Sequence, residues 1–320
     1  MAGDVREATQ GGRVVSPSGP GTASRFLPSV DTLEETMLAA NRSLAEGRLG
    51  DALAQFNEAL KLKPRYDAAW IARGHVLKLQ GDLEGALKSF SEALVLKPEN
   101  EEAWLAFAGI LNRMRRYAEE VEAYDQALRS NPRNVQALIN KGAALHALRR
   151  FDEAEPCYEA ALALRPEYAP AWNNLGAARL RRGKLDGALE AFEHAARLDP
   201  AFFDALVNEV FAWQRKSKHG HAVIAADRAL RLREEPWLRY LKGLSHLALM
   251  ESSLAAGCFE RALELDPQLE QARDALRKAK ELRRRVDLDR GAYECFGTFQ
   301  AGDPGCAECE IQQRCQEVTR

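Results

Sequence analysis

Long apolar runs are missing from this chain. No stretch approaches the ~20 residues a membrane-spanning helix needs, and the opening Met1-Ala2-Gly3-Asp4-Val5-Arg6-Glu7 lacks the apolar core of a secretory leader. Charge excess is missing too: 45 Lys and Arg stand against 47 Asp and Glu, a net charge of −2, which excludes wholesale attraction to nucleic acid or a membrane surface. Glycine-rich phosphate loops are absent. The six histidines, His75, His146, His194, His219, His221 and His246, are scattered without a partnering nucleophile. The closest two, His219 and His221, fall in a Lys/Ser/His/Gly segment that reads as a solvated turn. No catalytic centre emerges, and a cytoplasmic, non-enzymatic protein is expected. Cysteine is almost absent from the body of the chain, where only Cys157 and Cys258 occur.

What is present is a period. Pro64, Pro98, Pro132, Pro166 and Pro200 stand 34 residues apart, and Pro267 closes two further units. Counting back from each proline gives units that start at Leu33, Asp67, Glu101, Val135, Ala169, Phe203 and Pro236, the sixth being one residue short. Position 4 holds Trp70, Trp104 and Trp172, position 8 holds Gly74, Gly142, Gly176 and Gly243, and position 27 is always alanine. Position 20 is alanine in six units, and position 24 is Phe56, Phe90, Tyr124, Tyr158, Phe192 and Phe259. A helix pair of this size cannot bury its apolar face alone and must stack on its neighbours.

This pattern resembles the tetratricopeptide repeat, and the resemblance covers roughly Leu33 to Pro267. It implies an all-α fold: a right-handed superhelical solenoid of about seven helix-turn-helix repeats with a C-terminal capping helix. The domains expected are a disordered tail over 1–30, the solenoid over 31–267, a basic capping helix over 268–290 and a cysteine-rich tail over 291–320. Three departures stand out: Glu120 replaces alanine at position 20, Ala226 replaces the aromatic at position 24, and Lys216-Ser217-Lys218 replaces a glycine turn. An unpaired buried carboxylate is costly, so Glu120 is expected to rotate to the surface. Pro170 fits a first helical turn, whereas Pro156 lies deeper and is expected to bend its helix slightly. Cys157 and Cys258 read as small buried residues.

In this family the first helix of each pair lines a concave groove through positions 2, 5, 6, 9, 12 and 13. Asn140, Asn174 and Asn208 occupy position 6 of three consecutive units. A row of amides offers donors and acceptors that complement a peptide backbone, which points to sequence-tolerant binding of an extended segment. It is similar to the asparagine ladder in the repeat domain of O-linked N-acetylglucosamine transferase, although no catalytic domain follows here. The alternative is that asparagine at position 6 only serves local packing. Asn112, Arg113, Gln136, Asn173, Arg181, Asp204, Gln214 and Arg215 are neighbouring candidates, a partly basic set suited to polar or acidic peptides, or else a solvated helix face. Capture of chaperone tails by a carboxylate clamp is disfavoured, because Met37 and Ala72 stand where clamp residues belong.

Cys295, Cys306, Cys309 and Cys315 cluster in the last 26 residues. The two-residue spacer lets two thiolates converge on one ion, so four ligands can hold zinc or a 4Fe-4S cluster. Two disulfides are the alternative in an oxidising compartment. The closing spacing resembles that of some nucleases whose cluster pins a tail, but no nuclease core is present. Arg273 to Arg290 carries eight basic and four acidic residues, so a nucleic-acid-associated or stress factor acting through the tail is the rival to a protein-binding adaptor. A solvated cap is favoured, since no aromatic residues are interleaved for stacking. The expected partner is a protein or extended peptide, with nucleic acid unlikely and no membrane span.

Overall fold

The computed structural model describes residues 30–296, and side chains over 32–284. The described residues form fifteen helices and no strands. They form hairpins in strict succession: α1 (Val30–Ala45) with α2 (Leu49–Leu62), α3 (Asp67–Gln80) with α4 (Leu83–Leu96), and α5 (Glu101–Arg113) with α6 (Tyr117–Ser130). Then come α7 (Val135–Ala147) with α8 (Phe151–Leu164), α9 (Ala169–Arg181) with α10 (Leu185–Leu198), α11 (Phe203–Arg215) with α12 (His219–Leu232), and α13 (Pro236–Ala248) with α14 (Ser252–Leu265). The last helix, α15 (Glu270–Phe296), covers α14 through the buried Ala272, Ala275 and Ala279. Contacts join each helix mainly to its sequence neighbours, as in a right-handed solenoid whose core is a chain of small clusters.

The repeat pattern has a steric origin. A Cβ built on Gly74, Gly142, Gly176 or Gly243 would lie 2.5–2.7 Å from the ring of Phe90, Tyr158, Phe192 or Phe259 respectively. Position 8 is therefore small because the position-24 ring of the same hairpin occupies that space. Ala40 and Ala108 stand there beside Phe56 and Tyr124 in the first and third units. The sixth unit inverts the arrangement: Val210 and Ala226 are both fully buried and share one cluster. The loss of the aromatic is thus offset by a larger residue opposite.

The proline period has a partner as well. The indole Nε1 of Trp70, Trp104 and Trp172 donates to the carbonyl of Pro64, Pro98 and Pro166 at 2.9, 2.7 and 2.7 Å. Each tryptophan so ties its helix to the loop that precedes it. Asn100 and Asn134 cap α5 and α7, accepting from the amides of Ala103 and Ala137.

All seven hairpin turns need a left-handed residue at position 15. Gly47, Gly81 and Gly183 supply it, and Arg115, Arg149, Ser217 and Met250 adopt it with φ of 57–63°. Ser217 in the sixth unit therefore keeps the glycine conformation without the glycine, and so do two arginines and a methionine. A side chain in this region carries backbone strain of about 1 kcal/mol.

Two expectations are corrected. Glu120 does not turn outward: it is buried, and Asn112 Nδ2 donates to both of its carboxylate oxygens at 3.0 and 3.1 Å. Burial pushes its carboxyl pKa up, against a smaller opposing effect of the Asn112 bond. His219 and His221 lie in the first turn of α12 rather than in an irregular turn, and His221 stacks on Trp213 at 4.6 Å. Pro156 lies inside α8. Cys157 and Cys258 are buried free thiols, as read from the sequence, and burial pushes both pKa values up.

A second buried carboxylate escaped the sequence reading. Glu155 of α8 receives Arg179 Nε at 2.9 Å, Lys184 Nζ at 3.0 Å and Arg182 Nη1, all from the next unit. Three cations converging on one buried anion fix how the fourth and fifth hairpins meet.

Candidate functional site

The first helices α7, α9 and α11 enclose a pocket of about 410 Å³ lined by His146, Ala177, Leu180, Arg181, Asn208, Phe211 and Arg215. These residues hold positions 6, 9, 12 and 13 of their units. Three of them, Arg181, Asn208 and Arg215, were singled out from sequence. His146, Leu180 and Phe211 complete the wall. Phe211 was legible as an apolar residue on a groove position of α11, but its pocket arises only when three hairpins stack.

The three asparagines are all half-buried but differ in engagement. Asn140 accepts from Gln136 Nε2 at 2.8 Å and hydrogen-bonds Tyr124, whose phenol burial nevertheless holds up at about 12. Asn208 Nδ2 donates to Asn173 Oδ1 at 2.9 Å, linking α11 to α9. Asn174 forms no hydrogen bond among the described residues and stands between the other two units.

The other candidates are dispersed. Asn112 holds Glu120, and Gln214 Nε2 donates to the Leu241 carbonyl and to Ser245 Oγ in the next unit at 2.8 and 2.9 Å. Arg113 and Arg215 each donate to a carbonyl one unit back, Lys78 at 3.3 Å and Leu180 at 2.6 Å. Arg181 makes no such contact. Asp204 is exposed in the first turn of α11.

His146 lines the pocket with its Nε2 buried and without a hydrogen-bond partner. Burial first, and then the charge of Arg181, push its pKa below the usual histidine value. Its ring meets Phe151 edge-on at 5.0 Å. No carboxylate lines this pocket.

Two notches of about 380 and 440 Å³ open where position 7 carries Phe107 and Leu175. Lys141 and Lys242 at that position instead reach a helix of the preceding unit, pairing with Asp125 and Asp227, both at 2.6 Å. A large apolar residue at position 7 is the feature of the sequence that both openings share.

Cys306, Cys309 and Cys315 lie outside the described residues. Cys295 falls on the backbone of α15, which continues past the boundary expected at 290. Among the described residues no group of three or more His, Cys, Asp or Glu side chains is placed to hold a metal, and no helix is long and apolar enough to cross a membrane.

Stacked hairpins with a polar groove define an α-solenoid of the kind that serves as an interaction scaffold. Two models of the tetratricopeptide repeat match this chain, one over residues 134–201 and the other over 37–101, 72–135 and 105–156. Together they span just over half of it, and the chain belongs to the tetratricopeptide repeat family. No curated protein matches its sequence significantly. A tetratricopeptide repeat protein from Parabacteroides merdae is 20% identical, with a TM-score of 0.56 over 78% of this chain and 99% of the other. The C-terminal part of a repeat protein from Cytophaga hutchinsonii is 15% identical, with a TM-score of 0.63 over 74% and 98%. YrrB, described as a repeat protein with an unusual peptide-binding site, is 23% identical, with a TM-score of 0.53 over 62% and 97%. These likenesses concern the fold.

Proposed function

We propose that the protein is an adaptor whose groove holds an extended segment of a partner protein along the fourth to sixth repeats. The observation that carries this reading is Asn174: a half-buried amide with no internal hydrogen bond, set between Asn140 and Asn208 beside an open pocket. An amide in that position bonds a passing peptide unit at both its N–H and its C=O without reading the side chain. The peptide-binding description attached to YrrB agrees by analogy of fold alone.

The test compares the protein with an Asn140→Ala/Asn174→Ala/Asn208→Ala variant on an array of immobilised twelve-residue peptides. Helicity by circular dichroism should be unchanged, and peptide retention should fall at least ~10-fold. Equal retention by both proteins removes the groove from the function.

The tail is assigned a separate task. Cys295, Cys306, Cys309 and Cys315 are taken as the four ligands of a structural zinc or 4Fe-4S staple that folds the C-terminus and presents a second docking surface. Anaerobic purification of the full chain followed by metal analysis decides it. Less than about 0.2 equivalents of zinc, and of iron, discards the staple.

A further inference from the structure

We infer that the pocket between α7, α9 and α11 selects an acidic side chain adjoining a bulky apolar one, so that the partner segment is an acidic, leucine-like sequence. This rests on the groove reading above and specifies its chemistry. Two guanidinium groups, Arg181 and Arg215, enter the lining with no carboxylate among the residues around them. Arg215 uses Nη1 on the Leu180 carbonyl, which fixes its direction and leaves the rest of its donor fork for an anion. Arg181 has neither a carbonyl nor an acid as partner among the described residues.

Cations at the C-terminal ends of helices have a simpler role, balancing the helix dipole. That role accounts for Arg215. It applies to Arg181 too, in the last turn of α9, yet leaves the donors of that guanidinium without an acceptor among the described residues. A carboxylate in the pocket supplies an acceptor for both guanidinium groups.

The apolar half of the site is Phe211, 38% exposed and stacked parallel to Trp237 at 6.5 Å, with Leu180 and Ala177 beside it. A volume of about 410 Å³ exceeds what one carboxylate needs and leaves room for an aliphatic or aromatic neighbour. Arg115 and Arg149 at two of the hairpin turns are exposed, with no acidic partner among the described residues, in a conformation that three other units give to glycine. Two such unpaired cations near the groove favour the approach of an acidic segment.

The probes are three synthetic twelve-residue peptides in which leucine alternates with glutamate, glutamine or lysine. Their binding to the full chain is followed by fluorescence anisotropy at about 50 mM and about 500 mM salt. The glutamate peptide should bind at least ~10-fold more tightly than the glutamine peptide, and added salt should shrink that preference. Arg181→Ala should abolish the preference, and Arg215→Lys, which keeps a donor for Leu180, should reduce it. Phe211→Ala should weaken the glutamate and glutamine peptides alike.

Equal binding of the glutamate and glutamine peptides overturns the inference. If Asn174→Ala then weakens both, the groove reading survives without it. Preference for the lysine peptide overturns the inference likewise. Failure of all three peptides to bind overturns both readings, with circular dichroism confirming that each variant is folded.

Discussion

Exchanging the inverted pair of the sixth hairpin for the common one is the sharpest test of the packing rule. Val210 and Ala226 are fully buried, and in four other hairpins the equivalent space holds a glycine under an aromatic ring. Val210→Gly alone removes three buried carbons at about 1 kcal/mol each and adds a few tenths for glycine in a helix, a loss of about 3 kcal/mol. Ala226→Phe alone drives a ring into the valine. Rings in the glycine hairpins already come within 2.5–2.7 Å of where a first side-chain carbon would stand, so overpacking by a whole isopropyl group costs about 3 kcal/mol. The double variant recreates the glycine-aromatic pair and should lose less than about 2 kcal/mol, a favourable coupling of about 4 kcal/mol. Because repeat arrays open unit by unit, the measurement is native-state hydrogen exchange of α11 and α12 amides, with Trp213 fluorescence in urea as a second probe. A double variant that loses the sum of the two single losses refutes the proposed complementarity.

Two further outcomes follow from the same geometry. Glu120→Ala restores the residue that six other units carry and should raise stability at pH 7 by about 1 kcal/mol, read from urea midpoints. The sign comes from its raised folded pKa: the native state holds the proton more tightly, so Glu120 costs least below the ordinary glutamate value and destabilises as pH rises through the folded value. The variant should lose that part of the pH dependence, and a variant less stable at pH 7 contradicts the assignment. Arg149→Gly should stabilise by about 0.5–1 kcal/mol and Gly183→Ala should destabilise by about 1 kcal/mol, because φ is +60° and +77° at these positions. Thermal midpoints moving in the same direction would rule out backbone strain as the cause.

The sequence determined the hairpins because a 34-residue period constrains which side chains meet: Trp104 must face the loop at Pro98, and Gly142 must sit beneath Tyr158. Those contacts are local, joining residues of one unit or of adjacent units, so they repeat wherever the residues repeat. The departures were visible but their outcomes were not. Glu120 is held inside by Asn112, eight residues away on the facing helix, and Ala226 is compensated by Val210, which no single position reveals.

The groove belongs to a third level. Position 6 marked Asn140, Asn174 and Asn208 equally, yet two are tied to residues of the hairpin before them and one forms no hydrogen bond among the described residues. Arg181, Asn208, Phe211 and Arg215 share a wall only because α7, α9 and α11 superpose in the stack. Backbone periodicity is set by short-range sterics, whereas a binding surface depends on which polar groups remain unsatisfied after every neighbour has packed, and that remainder exists only in the assembled solenoid.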